Sequence, residues 1–192
     1  MGEIGNKKRL TGLLATAMIL SQIQVSGIAA PMTTDKIFAD VKENVWYTEA
    51  VQRWGQTGII TGYEDHSFRP QQAVTRAQLA AIIDRIFGLE DTTYAKQYDD
   101  IDKDKWYEGS VSRVSSAGIM NDFDNKFNPD APATREELAY AFANAYKLTG
   151  DKTKTFNDHE AISSWAVEAV DALVEKGYMV GMPNESLNQK DN

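Results

Sequence analysis

The chain repeats itself. Phe38-Ala39-Asp40 opens a pattern that closes with Thr75-Arg76-Ala77-Gln78, and the same order returns from Tyr98-Asp99-Asp100 to Thr134-Arg135-Glu136-Glu137. Aligned, Asp40, Trp46, Tyr47, Gly58, Phe68, Pro70, Thr75, Arg76 and Leu79 stand over Asp100, Trp106, Tyr107, Gly118, Phe127, Pro129, Thr134, Arg135 and Leu138 in order, Gly58 and Gly118 each being followed by Ile. A third copy starts at Phe156-Asn157-Asp158 and keeps Trp165 and Gly177. It places Leu187-Asn188-Gln189 where the others have Phe68-Arg69-Pro70 and Phe127-Asn128-Pro129, and no Thr-Arg pair follows. Self-similarity at a fixed period marks units that cannot bury their apolar faces alone and must pack on one another. The expectation is therefore a single all-α domain in which the helix-loop-helix repeats pack together, the third repeat being incomplete. The repeats span 38–89, 98–148 and 156–192, joined by polar linkers at 90–97 and 149–155 and preceded by a short segment at 31–37.

Residues 1–30 read as an export signal: Lys7-Lys8-Arg9, an apolar run from Leu10 to Leu20, then small residues up to Ala30. The run is shorter than the roughly 20 apolar residues that a spanning helix needs, so the expectation is a secreted chain with no membrane contact after signal cleavage. With no cysteine, packing rather than disulfides must hold the exported fold. The net charge is −8, and it becomes more negative without the cations of residues 1–30. Such a surface repels nucleic acid and anionic membranes, so an anionic ligand has to be caught by a built site.

Within each repeat, Trp46, Ala50, Val51 and Trp54, matched by Trp106, Ser110, Val111 and Val114, describe one helical stripe, and Gly58 and Gly118 end it. Trp165, Ala169, Val170 and Leu173 repeat it before Gly177. A second helix carries Leu79, Ile82, Ile83, Ile86 and Phe87, or Leu138, Ala141, Phe142, Ala145 and Tyr146, as its apolar face. Thr75 with Gln78, and Thr134 with Glu137, form capping boxes that set its start. The tryptophans are expected as core anchors and Tyr47 and Tyr107 as exposed residues.

Arg76 and Arg135 then fall at the first helical position, where a cation opposes the macrodipole. Beside free N–H groups, such a guanidinium suits an anion; the competing reading is an ion pair with Asp40, Asp100 or Asp158. Recurrence at one repeat position favours the ligand. Asp122 to Asp130 is acidic, but Lys126 and Ala133 stand where calcium ligands would be required, and the central glycine of a calcium loop is missing. No nucleophile-base pair or phosphate-binding glycine loop is present, so neither catalysis, metal nor cofactor is expected.

Phe-x-Asp, Trp-Tyr, Gly-Ile-Ile-Thr-Gly, Phe-x-Pro and Thr-Arg-Ala-Gln in this order resemble the S-layer homology repeat. The resemblance implies a three-repeat, pseudo-threefold helical bundle, a spindle that anchors exported proteins noncovalently to the cell wall. Its implied ligand is a secondary cell-wall polysaccharide, pyruvylated on N-acetylmannosamine, or a peptidoglycan-linked glycan, held in grooves between repeats. Carried over, the ligand residues are Arg76, Arg135, Asp40, Asp100, Asp158, Gly58, Gly118 and Gly177, with Thr75, Thr134, Tyr47 and Tyr107 beside them. Asn121-Asp122 replaces Thr61-Gly62 in the second copy, removing a glycine from that groove. Two other functions fit the same residues: a surface-layer protein whose repeats self-associate, or the anchoring part of an exported glycan-degrading enzyme.

Overall fold

The computed structural model describes residues 37–91, 97–150 and 156–181. The expected export signal and Leu187-Asn188-Gln189 lie outside the described residues. Five α-helices follow in order, α1 (Thr48–Gln56), α2 (Arg76–Phe87), α3 (Glu108–Ser116), α4 (Arg135–Tyr146) and α5 (Val167–Glu175), with a 3₁₀ turn at His159–Ala161. Among the described residues there is no strand, only two isolated bridges, so the all-α reading holds.

The second helices begin where the capping boxes put them. Thr75 Oγ1 accepts from Gln78 N and Gln78 Oε1 from Thr75 N, and Thr134 and Glu137 do the same. α2 ends at left-handed Gly88 and α4 at left-handed Lys147. The first helices lack a side-chain N-cap and reverse through Gly58, Gly118 and Gly177, whose φ values of 74°, 67° and 71° favour glycine.

Packing crosses the repeat boundaries. α2 of the first repeat lies on α3 of the second, and α4 of the second on α5 of the third. One core joins Leu79, Ile83, Val111, Val114 and Phe127; another joins Ala139, Ala143, Ile162, Val170 and Leu173. Burying one such large side chain contributes roughly 1.5–3 kcal/mol, so neighbouring repeats depend on each other for stability. α4 reaches both cores, through Ala141 on one side and Ala139 and Ala143 on the other. That two-sided contact corrects the single-stripe reading of α4: Leu138 is 39% exposed and Tyr146 53%.

The aromatic assignment is also reversed. The first helices start at Thr48 and Glu108, so Trp46 and Trp106 precede them rather than heading their inner face. Trp46 is 92% exposed and Trp106 64%, whereas Tyr107 is buried at 7% and Tyr47 half-buried. The inward sequence is Tyr107, Val111, Val114, with the tyrosine at the N-cap. Trp165 is half-buried, edge-on to Tyr140.

Candidate functional site

The arginine at the start of α2 does not face solvent. Arg76 is 1% exposed, and its guanidinium has three protein acceptors in the second repeat. Nε donates to the Phe127 carbonyl at 2.7 Å, Nη2 to the Asn121 carbonyl at 2.6 Å, and Nη1 to the Glu137 carboxylate. The helix-start amides are engaged as well: Arg76 N donates to Ala131 O and Ala77 N to Pro129 O. Both components of the expected anion site are therefore occupied by the neighbouring repeat. In this structure Arg76 is a buried cross-brace between the repeats, and its ionic partner is Glu137 rather than any Phe-x-Asp aspartate. Glu137 serves twice, Oε2 closing the capping box and Oε1 taking the arginine.

Arg135 holds the matching place on α4. Its Nη2 donates to Val180 O at 3.2 Å, as Arg76 does to Asn121 O, and its buried Nε has no hydrogen-bond partner among the described residues. Leu187, aligned with Phe127, falls outside them.

Asp40 and Asp100 clamp loops. Asp40 accepts from the amides of Phe68 and Arg69, both at 2.7 Å, and Asp100 from those of Phe127 and Asn128 at 2.9 and 2.7 Å. The Phe68 amide foremost holds the Asp40 carboxyl below the usual range. The clamps stabilise left-handed Arg69 and Asn128, with φ of 59° and 55°. Asp158 caps the 3₁₀ turn, its carbonyl accepting from Ala161 N. A Cβ at Gly58, Gly118 or Gly177 would meet nothing within 4 Å, so their chain reversal accounts for glycine. Thr75 and Thr134 are engaged as N-caps.

What the repeats leave open is a groove of about 720 Å³ at the junction of repeats one and two. Its walls are the 60–72 loop and α2, including Tyr63, Arg69, Gln78, Ala81 and Arg85, and Trp106 reaches in from the second repeat. Gln78, freed from an ionic role, donates from Nε2 to Tyr63 Oη at 2.9 Å. Arg69 lies 3.9 Å above the Tyr63 ring and pairs with Asp65 at 3.1 Å. Asp65 is held down to about 2, first by the Ser67 hydroxyl, then by the Ser67 amide and Arg69. Arg85 is exposed; Nη1 donates to Ile59 O at 3.1 Å, and it forms no ion pair with a described carboxylate. The groove thus offers an aromatic plane, a tyrosine-glutamine pair and an available guanidinium. Sequence reasoning did not single out Arg69, Arg85 and Tyr63, which line the groove. The available signal was Asp84-Arg85 interrupting the apolar run Ile82-Ile83…Ile86-Phe87.

Among the described residues no helix is long and apolar enough to cross a membrane. The family model for the S-layer homology domain matches residues 37–80, 97–139 and 155–188. Over 164 residues, 82% of this chain, it is 30% identical to an amylopullulanase of Thermoanaerobacterium thermosulfurigenes, covering 9% of that protein. Over 180 residues, 91% of this chain, it is 28% identical to S-layer protein sap of Bacillus anthracis, covering 21%. Exoglucanase XynX of Acetivibrio thermocellus is 28% identical over 77% of this chain and 14% of its own length. The chain therefore spans less than a quarter of the length of these relatives. With its cross-braced helical repeats and three matched segments, it belongs to the S-layer homology domain family, whose secreted cell-surface members use these repeats as cell-wall anchoring modules.

Proposed function

We propose that this chain is an anchoring module without catalysis of its own, and that the groove between repeats one and two holds an acid-bearing sugar of a secondary cell-wall polysaccharide. The observation that carries the reading is Arg85, an exposed guanidinium that lines the same groove as Trp106 and forms no ion pair at contact distance with a described carboxylate. A ring plane packs on the tryptophan face, and the fork of Arg85 takes a carboxylate such as a pyruvate ketal in two hydrogen bonds. Tyr63 and Gln78 supply neutral hydrogen-bonding groups for sugar hydroxyls. A local guanidinium overcomes the repulsion between an acidic protein and an anionic polymer because it acts at contact distance, inside the screening length.

The test is cosedimentation of the chain with purified cell-wall sacculi, before and after removal of the secondary polymer and of its pyruvate groups, alongside Arg85→Ala. Binding should fall on stripping and in the variant. Binding that survives both would refute the reading and leave peptidoglycan or a protein as partner.

A further inference from the structure

Resting on that reading, we infer that the two junctions between repeats differ in ligand class, and that Ala81 and Arg85 determine specificity: Ala81 supplies the room and Arg85 the charge that admit an acidic sugar at the first junction only. The repeat alignment makes the comparison position by position. Trp106, over the first groove, corresponds to Trp165 at the second junction. Ala81 corresponds to Tyr140, Tyr63 to Phe123, Arg69 to Asn128 and Arg85 to Asn144.

Each change acts in the same direction. Where Ala81 ends in a methyl group in the groove wall, Tyr140 carries a ring whose centroid lies 5.3 Å from that of Trp165 in an edge-on contact. Phe123 makes a second edge-on contact with Trp165, its ring centroid 6.2 Å away. The second tryptophan is consequently half-buried against its own chain, whereas Trp106 stands 64% exposed. Both guanidiniums have been replaced by neutral amides. Asn144 is also enclosed, its buried Nδ2 lacking a hydrogen-bond partner among the described residues, while Arg85 at the matching site is exposed. Both loops carry carboxylates, Glu64 and Asp65 in the first groove and Asp122 and Asp124 in the second copy, but only the first sets Arg69 and Arg85 beside them. A charged ligand without a partner in an aromatic enclosure is strongly disfavoured. The second junction is therefore an aromatic joint, and of these two junctions only the first takes an acidic sugar.

The four tryptophans provide the readout, since each gives one indole N–H signal in an NMR spectrum. The probes are N-acetylmannosamine bearing a pyruvate ketal and the same sugar without it. The ketal sugar should shift the Trp106 indole with a stoichiometry of one and leave Trp165 unmoved. Arg85→Asn, which copies the second junction, should weaken it by about 10- to 100-fold, the worth of a charged hydrogen bond. The double variant Tyr140→Ala/Asn144→Arg should raise the stoichiometry to two. Matching shifts at Trp106 and Trp165 in the unmodified chain, or unchanged affinity in Arg85→Asn, would overturn the inference while leaving glycan binding intact. If neither indole responds although the chain still sediments with the wall, the groove reading itself falls, and this inference with it.

Discussion

Arg76→Ala separates a structural arginine from a ligand arginine. The side chain is 1% exposed and joins the start of α2 to Glu137, Phe127 and Asn121 of the next repeat. Truncation leaves the Glu137 carboxylate, itself only 9% exposed, without its counter-charge. Breaking a buried pair from one side costs about 3–5 kcal/mol, because the remaining charge stays desolvated. That is a large part of the 5–15 kcal/mol typical of a domain, and for a chain of this size corresponds to a melting point lower by roughly 6–20 °C. Urea unfolding followed by far-UV circular dichroism measures the loss. Glu137→Gln should retain its capping-box acceptor but lose the ion pair. Arg76→Met/Glu137→Gln should lose less than the two single changes together, since no buried charge remains; a coupling of about 0.5–3 kcal/mol is expected. A loss under about 1 kcal/mol, with wall binding abolished, would refute the cross-brace and restore Arg76 as a ligand residue.

Gly62→Ala should be far more damaging than Gly118→Ala, although both have positive φ. A Cβ at Gly62 would lie 2.4 Å from the Phe38 ring and 2.7 Å from the Ser67 carbonyl, whereas at Gly118 it meets nothing. Left-handed strain of about 1–2 kcal/mol applies to both, and overpacking of about 1–3 kcal/mol adds at Gly62; equal urea midpoints would contradict this. Asp40 and Asp65 are held below their unfolded range, Asp65 down to about 2, so their contribution is present above pH ~4 and is lost as pH falls through the lowered folded values. The 60–72 loop should loosen in that window, with Trp106 fluorescence flat from about pH 5 to 7; a transition near neutrality would tell against it. Arg113 forks onto Asp84 at 2.7 and 2.9 Å, joining α3 to α2. Burial raises the Asp84 carboxyl, but the bonds from Arg113 and Ser110 outweigh this and hold it down. Arg113→Ala should cost about 1.5–3 kcal/mol in urea unfolding, with Arg113→Lys recovering only part because the fork is lost.

Much of the helical architecture was legible because its determinants are local. Thr75 with Gln78 and Thr134 with Glu137 set helix starts by bonds three residues apart, and Gly58, Gly118 and Gly177 reverse the chain by backbone freedom alone. Arg76 was conspicuous for the right reason, a cation at a helix start repeated twice, but its partners lie 45 to 61 residues away. No spacing rule identifies those acceptors. Trp46 and Trp106 were misplaced because a two-residue difference in helix start turns the side chain out of the core, whereas Trp165 does pack against one.

The sequence by itself determined the repeat, the helix caps, the acidic surface and the family, since each depends on residue identity and short-range periodicity. Tertiary structure alone decided that helices pair across repeat boundaries, that Arg76 points inward, and that Trp165 packs against Tyr140 while Trp106 stands exposed. Those outcomes depend on which faces meet in space, and burial and long-range hydrogen bonding are properties of the assembled fold rather than of any segment within it.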